Sequence, residues 1–341
     1  MKTSTLLLAT SVLFSANAVM AAPDVVVSIK PIHSLVAAIM QGVGEPGLIV
    51  DGAASPHTFT MRPSNARAVE GADVVFWMGP GMEAFLEKPL EALASNATVV
   101  ELGDVHGLTK LPFREGGAFE GHDDGDAHEA HAEEDDHGHG HAETASDDHD
   151  DHDHDHSASS HEGHEHAHGA FDTHLWLDPE NAKVMAAAIQ GALAQADPDN
   201  AAAYASNLES LNTKIDALNS EIAETLAPVK DKPFIVFHDA YQYFEQHYGV
   251  RVAGSITVSP EVIPGAERVQ DIHAKVKELG AACVFAEPQF EPKLVQVVIE
   301  GTSARAGTLD PEGATLTEGP ELYFELMRSI ATGLKDCLSA T

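Results

Sequence analysis

The sequence predicts an α/β fold of two lobes with mainly parallel sheets, and three observations predict it. Short runs of β-branched and aromatic residues alternate with longer helix-forming stretches along the 341-residue chain, the pattern of strands laid side by side with helices on their faces. The length exceeds what one core fills, since single cores stop growing at roughly 250 to 300 residues. One uninterrupted helical stretch, Asp199 to Ala227, is long enough to connect two lobes.

Taken in order, the first element is an export signal. Lys2, the apolar run Leu6 to Phe14 and the small residues Ala18-Val19-Met20-Ala21-Ala22 read as a cleavable leader over residues 1–21. That apolar run is too short to span a bilayer, and no later window approaches the roughly 18 to 20 uncharged apolar residues a crossing helix needs. No cysteine stands at the cleavage point to carry a lipid, so no membrane anchor is expected. The expectation is a soluble periplasmic protein of a Gram-negative cell.

Val25 to Ile29, Leu48 to Val50, Val74 to Trp77 and Thr98 to Glu101 read as strands of a first lobe, residues 22–197. Phe234 to Phe237 and Cys283 to Ala286 read as strands of a second, residues 229–341. The linking helix, residues 198–228, starts after Asp197-Pro198 and stops at Pro228. Tyr204, Leu208, Leu211, Ile215, Leu218, Ile222 and Leu226 step by three or four, so one stripe of it is buried along its whole length.

The first lobe is interrupted by residues 115–168, which carry fourteen of the 21 histidines and almost no large apolar residue. Such a composition builds no core and reads as a disordered loop inserted into a folded lobe. Eighteen acids and no lysine or arginine fall between Glu120 and His168, so the net charge of -35 leaves -17 for the rest of the chain. A surface of that sign repels nucleic acid and anionic membranes and attracts cations. Cys283 and Cys337 are the only cysteines, and in an oxidising compartment an even count favours one structural disulfide over two free thiols.

Outside the loop seven histidines remain, and their spacing matches no local zinc signature. Position says more. His57 follows Leu48-Ile49-Val50 through a loop, and His238 caps Phe234-Ile235-Val236-Phe237; ligands of open α/β sheets collect at the carboxyl ends of strands. His174 lies where ordered sequence resumes after the loop, and Asp310 follows a further extended segment and offers a carboxylate from the second lobe. Glu287, at the end of a strand, suits a supporting hydrogen bond better than coordination, and Arg62 suits a pairing with a carboxylate or carbonyl. His33, His106, His247 and His273 have no motif around them, although His33 follows the first strand.

Five ordered motifs carry a resemblance that spans the mature chain. They are Ser55-Pro56-His57-Thr58-Phe59-Thr60-Met61-Arg62-Pro63-Ser64, His174-Leu175-Trp176-Leu177-Asp178-Pro179-Glu180, Phe237-His238-Asp239-Ala240-Tyr241-Gln242-Tyr243-Phe244, Val284-Phe285-Ala286-Glu287-Pro288-Gln289-Phe290 and Gly307-Thr308-Leu309-Asp310-Pro311. The chain resembles the periplasmic zinc-binding proteins of bacterial ABC importers, within a wider group that binds zinc or manganese. The resemblance implies two lobes on a rigid helix with the metal between them, imidazoles from His57, His174 and His238, a fourth ligand from Asp310 or water, and a disulfide between Cys283 and Cys337. Pro56 stands where some zinc members carry a glutamate, which shifts weight to Asp310 or water. It also implies an importer's membrane permease and cytoplasmic ATPase as partners.

Three neutral imidazoles with one carboxylate or water suit tetrahedral zinc, whereas a second carboxylate in place of the third histidine would suit manganese. Zn2+ is therefore the expected cargo of a monomeric receptor that catalyses no reaction. The loop histidines His122, His128, His131, His137, His139, His141, His149, His152, His154, His156, His161, His164, His166 and His168 would capture metal weakly and concentrate it near the cleft. Two other functions use the same residues: a periplasmic zinc buffer acting through the loop, and a zinc hydrolase with water on the fourth position. The buffer leaves the lobes and ordered motifs unexplained, and the chain lacks the local signatures of zinc hydrolases.

Overall fold

The computed structural model describes residues 22–114, 119, 171–257, 260 and 264–339. The export signal and the fourteen loop histidines lie outside these residues. No helix among the described residues is long and apolar enough to cross a membrane.

The first lobe begins with β1 (Val25–Val27), followed by α1 (Lys30–Ile39), β2 (Gly47–Leu48), α2 (Pro63–Glu70), β3 (Val74–Trp77), α3 (Glu87–Leu93) and β4 (Thr98–Glu101). After the insertion come α4 (Pro179–Ala196) and the long α5 (Ala201–Leu226). The second lobe holds β5 (Pro233–His238), α6 (Gln242–Tyr248), β6 (Arg251–Thr257), α7 (Ala266–Leu279), β7 (Cys283–Ala286), α8 (Lys293–Ile299), β8 (Arg305–Thr308) and α9 (Leu322–Ser339).

Among the described residues the strands form two parallel sheets, ordered β2-β1-β3-β4 and β6-β5-β7-β8. The two lobes therefore share one topology. Central strands are apolar on both faces, as β1 and β3 are buried at every position, which is what helices covering a parallel sheet require. The order reverses between β1 and β3 and again between β5 and β7, and these switch points open the crevices where ligands of such sheets bind.

The helical stripe predicted for the linker is buried at Tyr204, Leu211, Ile215, Leu218, Ile222 and Leu226 and partly buried at Leu208. The helix proper is 26 residues, about 39 Å at 1.5 Å per residue, and a 3-10 turn, Pro198–Asn200, leads into it. It packs on α1, α4 and α9, so a single apolar core runs through both lobes. A second cluster, built on Ile235, Phe237, Ile272, Val284 and Val298, fills the space between the second sheet and α7 and α8.

Strands β3, β4 and β7 have the predicted bounds. The first predicted strand ends at Val27 because the chain turns into α1, which carries a proline in its first turn. Strand β2 is short, although Ile49 and Val50 still donate to Val27 and Ser28. The disulfide Cys283–Cys337 is present and joins β7 to α9.

Candidate metal centre

Two of the three imidazoles are presented by 3-10 turns and the third by a strand end. His57 sits in a 3-10 turn, Pro56–Thr58, whose leading proline fixes the first φ. His174 starts the 3-10 turn Leu175–Leu177, and His238 is the last residue of β5, at the switch point of the second sheet. Their ligating nitrogens lie within 4.8 Å of one another. His174 is 5% exposed and His238 3%, and His57 is half-buried.

The two buried rings are aimed by carboxylates. Asp172 Oδ1 accepts from His174 Nδ1 at 2.7 Å and from His174 N at 3.0 Å. Its other oxygen accepts from Gln242 Nε2 at 3.2 Å, and its carbonyl accepts from Tyr243 Oη at 2.6 Å, so α6 of the second lobe holds it in place. Glu287 Oε1 accepts from His238 Nδ1 at 2.7 Å and from His238 N at 3.3 Å. With both Nδ1–H groups donating to carboxylates, the tautomers are fixed and each Nε2 carries a lone pair. Those two Nε2 atoms face each other at 3.3 Å.

Two nitrogens bound at 2.0 to 2.1 Å on a tetrahedral ion stand about 3.3 to 3.4 Å apart. The His174–His238 pair already has that separation, and facing lone pairs repel until a cation joins them. Burial, then the neighbouring imidazoles, hold His57 and His174 well below the ordinary histidine range, so both are neutral donors near pH 7. Burial also lowers His238, but the charge and hydrogen bond of Glu287 outweigh it and the net shift is upward. Burial pushes Asp172 up to about 7, against the hydrogen bond from His174 N.

The other candidates are placed differently. Asp310 is not in the imidazole group: it accepts from Gln289 Nε2 at 3.1 Å, Glu312 N at 3.1 Å and Thr315 N at 3.4 Å. Glu287 touches His238 as the supporting hydrogen bond expected of it. Arg62 pairs with Asp51 at 3.2 Å. His33 is buried and donates from Nε2 to the Pro46 carbonyl, His247 lies against Asn219 and Asp178, His273 donates to the Val298 carbonyl, and His106 is exposed. Asp172 was missed by sequence reasoning; its position two residues before His174 was the available signal.

The insertion leaves and rejoins the fold next to this site. Arg114 donates to Asp239 and, at 3.0 Å, to Glu245, and Asp172 N donates to the Leu111 carbonyl at 2.9 Å. A family model described as zinc-uptake complex component A, periplasmic, matches residues 25–337. The chain belongs to this family.

Relatives named high-affinity zinc uptake system protein ZnuA bear out the assignment to component A. The one from Brucella suis biovar 1 (strain 1330) is 60% identical over 315 residues, covering 92% of this chain and 91% of that protein. The one from Yersinia pestis is 35% identical over 332 residues, covering 97% and 96%. The solved structure described as the crystal structure of ZnuA superposes with a TM-score of 0.69 at 23% identity, over 93% of this chain and 99% of that one. The periplasmic zinc binding protein TroA from Treponema pallidum gives 0.70 at 17% identity, over 93% and 99%. At these identities the structural likenesses show the fold, two α/β lobes joined through a long helix.

Proposed function

We propose that this component A is the zinc receptor of an ABC importer, holding Zn2+ between its lobes on His57, His174 and His238 and passing it to the membrane permease that a cytoplasmic ATPase drives. The observation that carries this reading is the 3.3 Å separation of the His174 and His238 Nε2 atoms, the spacing of two ligands on one tetrahedral zinc. The protein is a carrier and not an enzyme: family membership sets aside the hydrolase reading. It is a periplasmic component, and we assign residues 1–21 to a cleaved export signal and the mature protein to a monomer. The working division is 22–197, linker 198–228 and 229–341.

Zinc's fourth position goes to Asp310 or to water, and Asp310→Asn separates the two: weakened binding assigns the carboxylate, unchanged binding assigns water. The insertion's histidines supply weak capture sites whose effect is to raise local zinc concentration. Removing Gly121 to His168 is expected to leave one tight site and delete several weak ones.

Competition titration of apo protein with zinc and manganese tests the reading, comparing wild type with the His57→Ala, His174→Ala, His238→Ala triple variant. Tight zinc binding is expected to vanish in the variant while weak binding persists. Tight binding that survives would transfer the function to the insertion and make the protein a buffer.

A further inference from the structure

The first sheet ends on β4, and among the described residues β3 is its only neighbour. Among the described residues no strand pairs with its outer edge, and natural edges are usually blunted with charge or proline. This edge carries Val99, 39% exposed, and ends on Glu101. Beside it lies a groove of about 370 Å³ between α3 and the sheet face, lined by Trp77, Pro80, Leu90 and Val99, with Glu87 and Glu91 also in its wall. Val75 pairs with Val99 in the β3–β4 register, so Trp77 and Val99 stand on the same face.

Trp77 is 6% exposed, and its indole N–H is buried with no hydrogen-bond partner. A buried indole N–H ordinarily has an acceptor, and this one lies in the groove wall without one. Glu87 and Glu91 are exposed and four apart on α3, hence on one side of it.

We propose that this edge and groove dock an extended basic segment of a partner protein. The segment adds to β4 as a further strand, its apolar side chains enter beside Leu90 and Val99 over the Trp77 ring, and lysine or arginine side chains pair with Glu87 and Glu91. Complementary charge favours a basic polypeptide and rejects an anionic membrane surface.

The test uses the full chain, labelled with nitrogen-15, at near-physiological salt. The probe is an alternating lysine–valine peptide, with an alternating glutamate–valine peptide as control. The lysine peptide is expected to shift the Trp77 indole resonance, assigned with Trp77→Phe, and to slow amide exchange across Thr98 to Glu101. The exposed double variant Glu87→Lys, Glu91→Lys is expected to weaken it about tenfold, the scale of reversed rim charges, and circular dichroism checks that this variant is folded. Equal binding of both peptides, unchanged affinity in the double variant, or no binding at all would overturn the proposal. So would binding of the lysine peptide that leaves Trp77 and β4 unaffected, the signature of capture by the acidic insertion. If β4 is already protected without peptide and loses protection when Gly121 to His168 is removed, the occupant is the chain's own insertion and the partner is ruled out.

Discussion

His174 and His238 come from opposite lobes, yet their Nε2 atoms face each other at 3.3 Å with each Nδ1 held by a carboxylate 2.7 Å away. The lobes are registered on each other through Asp172, which is gripped by Gln242 and Tyr243 across the boundary, while Glu287 follows β7 and holds His238 within the second lobe. Metal-binding histidines depend on such partners for tautomer and ring angle.

Asp172→Asn and Glu287→Gln are each expected to weaken zinc binding about 10- to 100-fold, the usual cost of losing a histidine's carboxylate partner. Chelator competition at pH 7.5 measures it. Affinity equal to wild type in both variants would show that ring orientation is fixed by packing alone.

Protons compete with zinc for the same lone pairs. His57 and His174 are shifted down and stay neutral well into acid, whereas the net shift of His238 is upward. His238 is therefore the first ligand to protonate as pH falls, and affinity is expected to be full above its raised pKa and to decline through it. Glu287→Gln removes the charge that raises it, so the decline is expected at lower pH even though the plateau is weaker. A zinc titration series from pH 8 to 5 that shows no decline, or the same midpoint in both proteins, would refute the assignment.

The three histidines were legible because each stands in a distinctive local sequence, and because the end of a parallel strand is where ligands collect. Asp172 was not: among so many acids between Glu120 and His174, only its place two residues before His174 marks the one that the fold presses against an imidazole. Asp310 was read from its extended context, and the structure gives its carboxylate to Gln289 and two backbone N–H groups. Helix α5 was legible since an apolar stripe sustained at helical spacing fits a helix and no strand. Strand β6 was overlooked because Ala253, Gly254 and Ser255 dilute its pattern, and β8, Arg-Ala-Gly-Thr, is largely exposed. Gly307 within β8 is required by contact: a Cβ there would meet the Phe285 ring at 2.4 Å.

The disulfide closes a separation of 54 residues, which the chain-entropy relation values at about 4 kcal/mol. It fastens α9, which packs on α1 and α5, to the second sheet. Cys283→Ser with Cys337→Ser is expected to lower unfolding free energy by about that amount in denaturant titration, with zinc affinity nearly unchanged because neither cysteine approaches the imidazoles. A large loss of affinity in a variant that remains folded would assign the bridge a part in shaping the site.

The first lobe's switch point holds Glu83 where the second lobe's holds His238. Ser28 Oγ, after β1, and the backbone N–H groups of Met78 and Gly79, after β3, all donate to the Glu83 carboxyl. Burial raises its pKa to about 7 despite those donors. The folded state therefore binds more protons than the unfolded chain between the ordinary value of 4.5 and about 7. Its contribution is fully present below pH 4.5 and lost as pH rises through 7, with a magnitude on the order of 3 kcal/mol. Glu83→Gln cannot titrate, so the stability difference between wild type and variant is expected to move against wild type from pH 4.5 to 7.5. Denaturant midpoints of the apo proteins measure this. Parallel pH curves would mean that the hydrogen bonds from Ser28, Met78 and Gly79 keep Glu83 ionised throughout and that burial is the weaker effect.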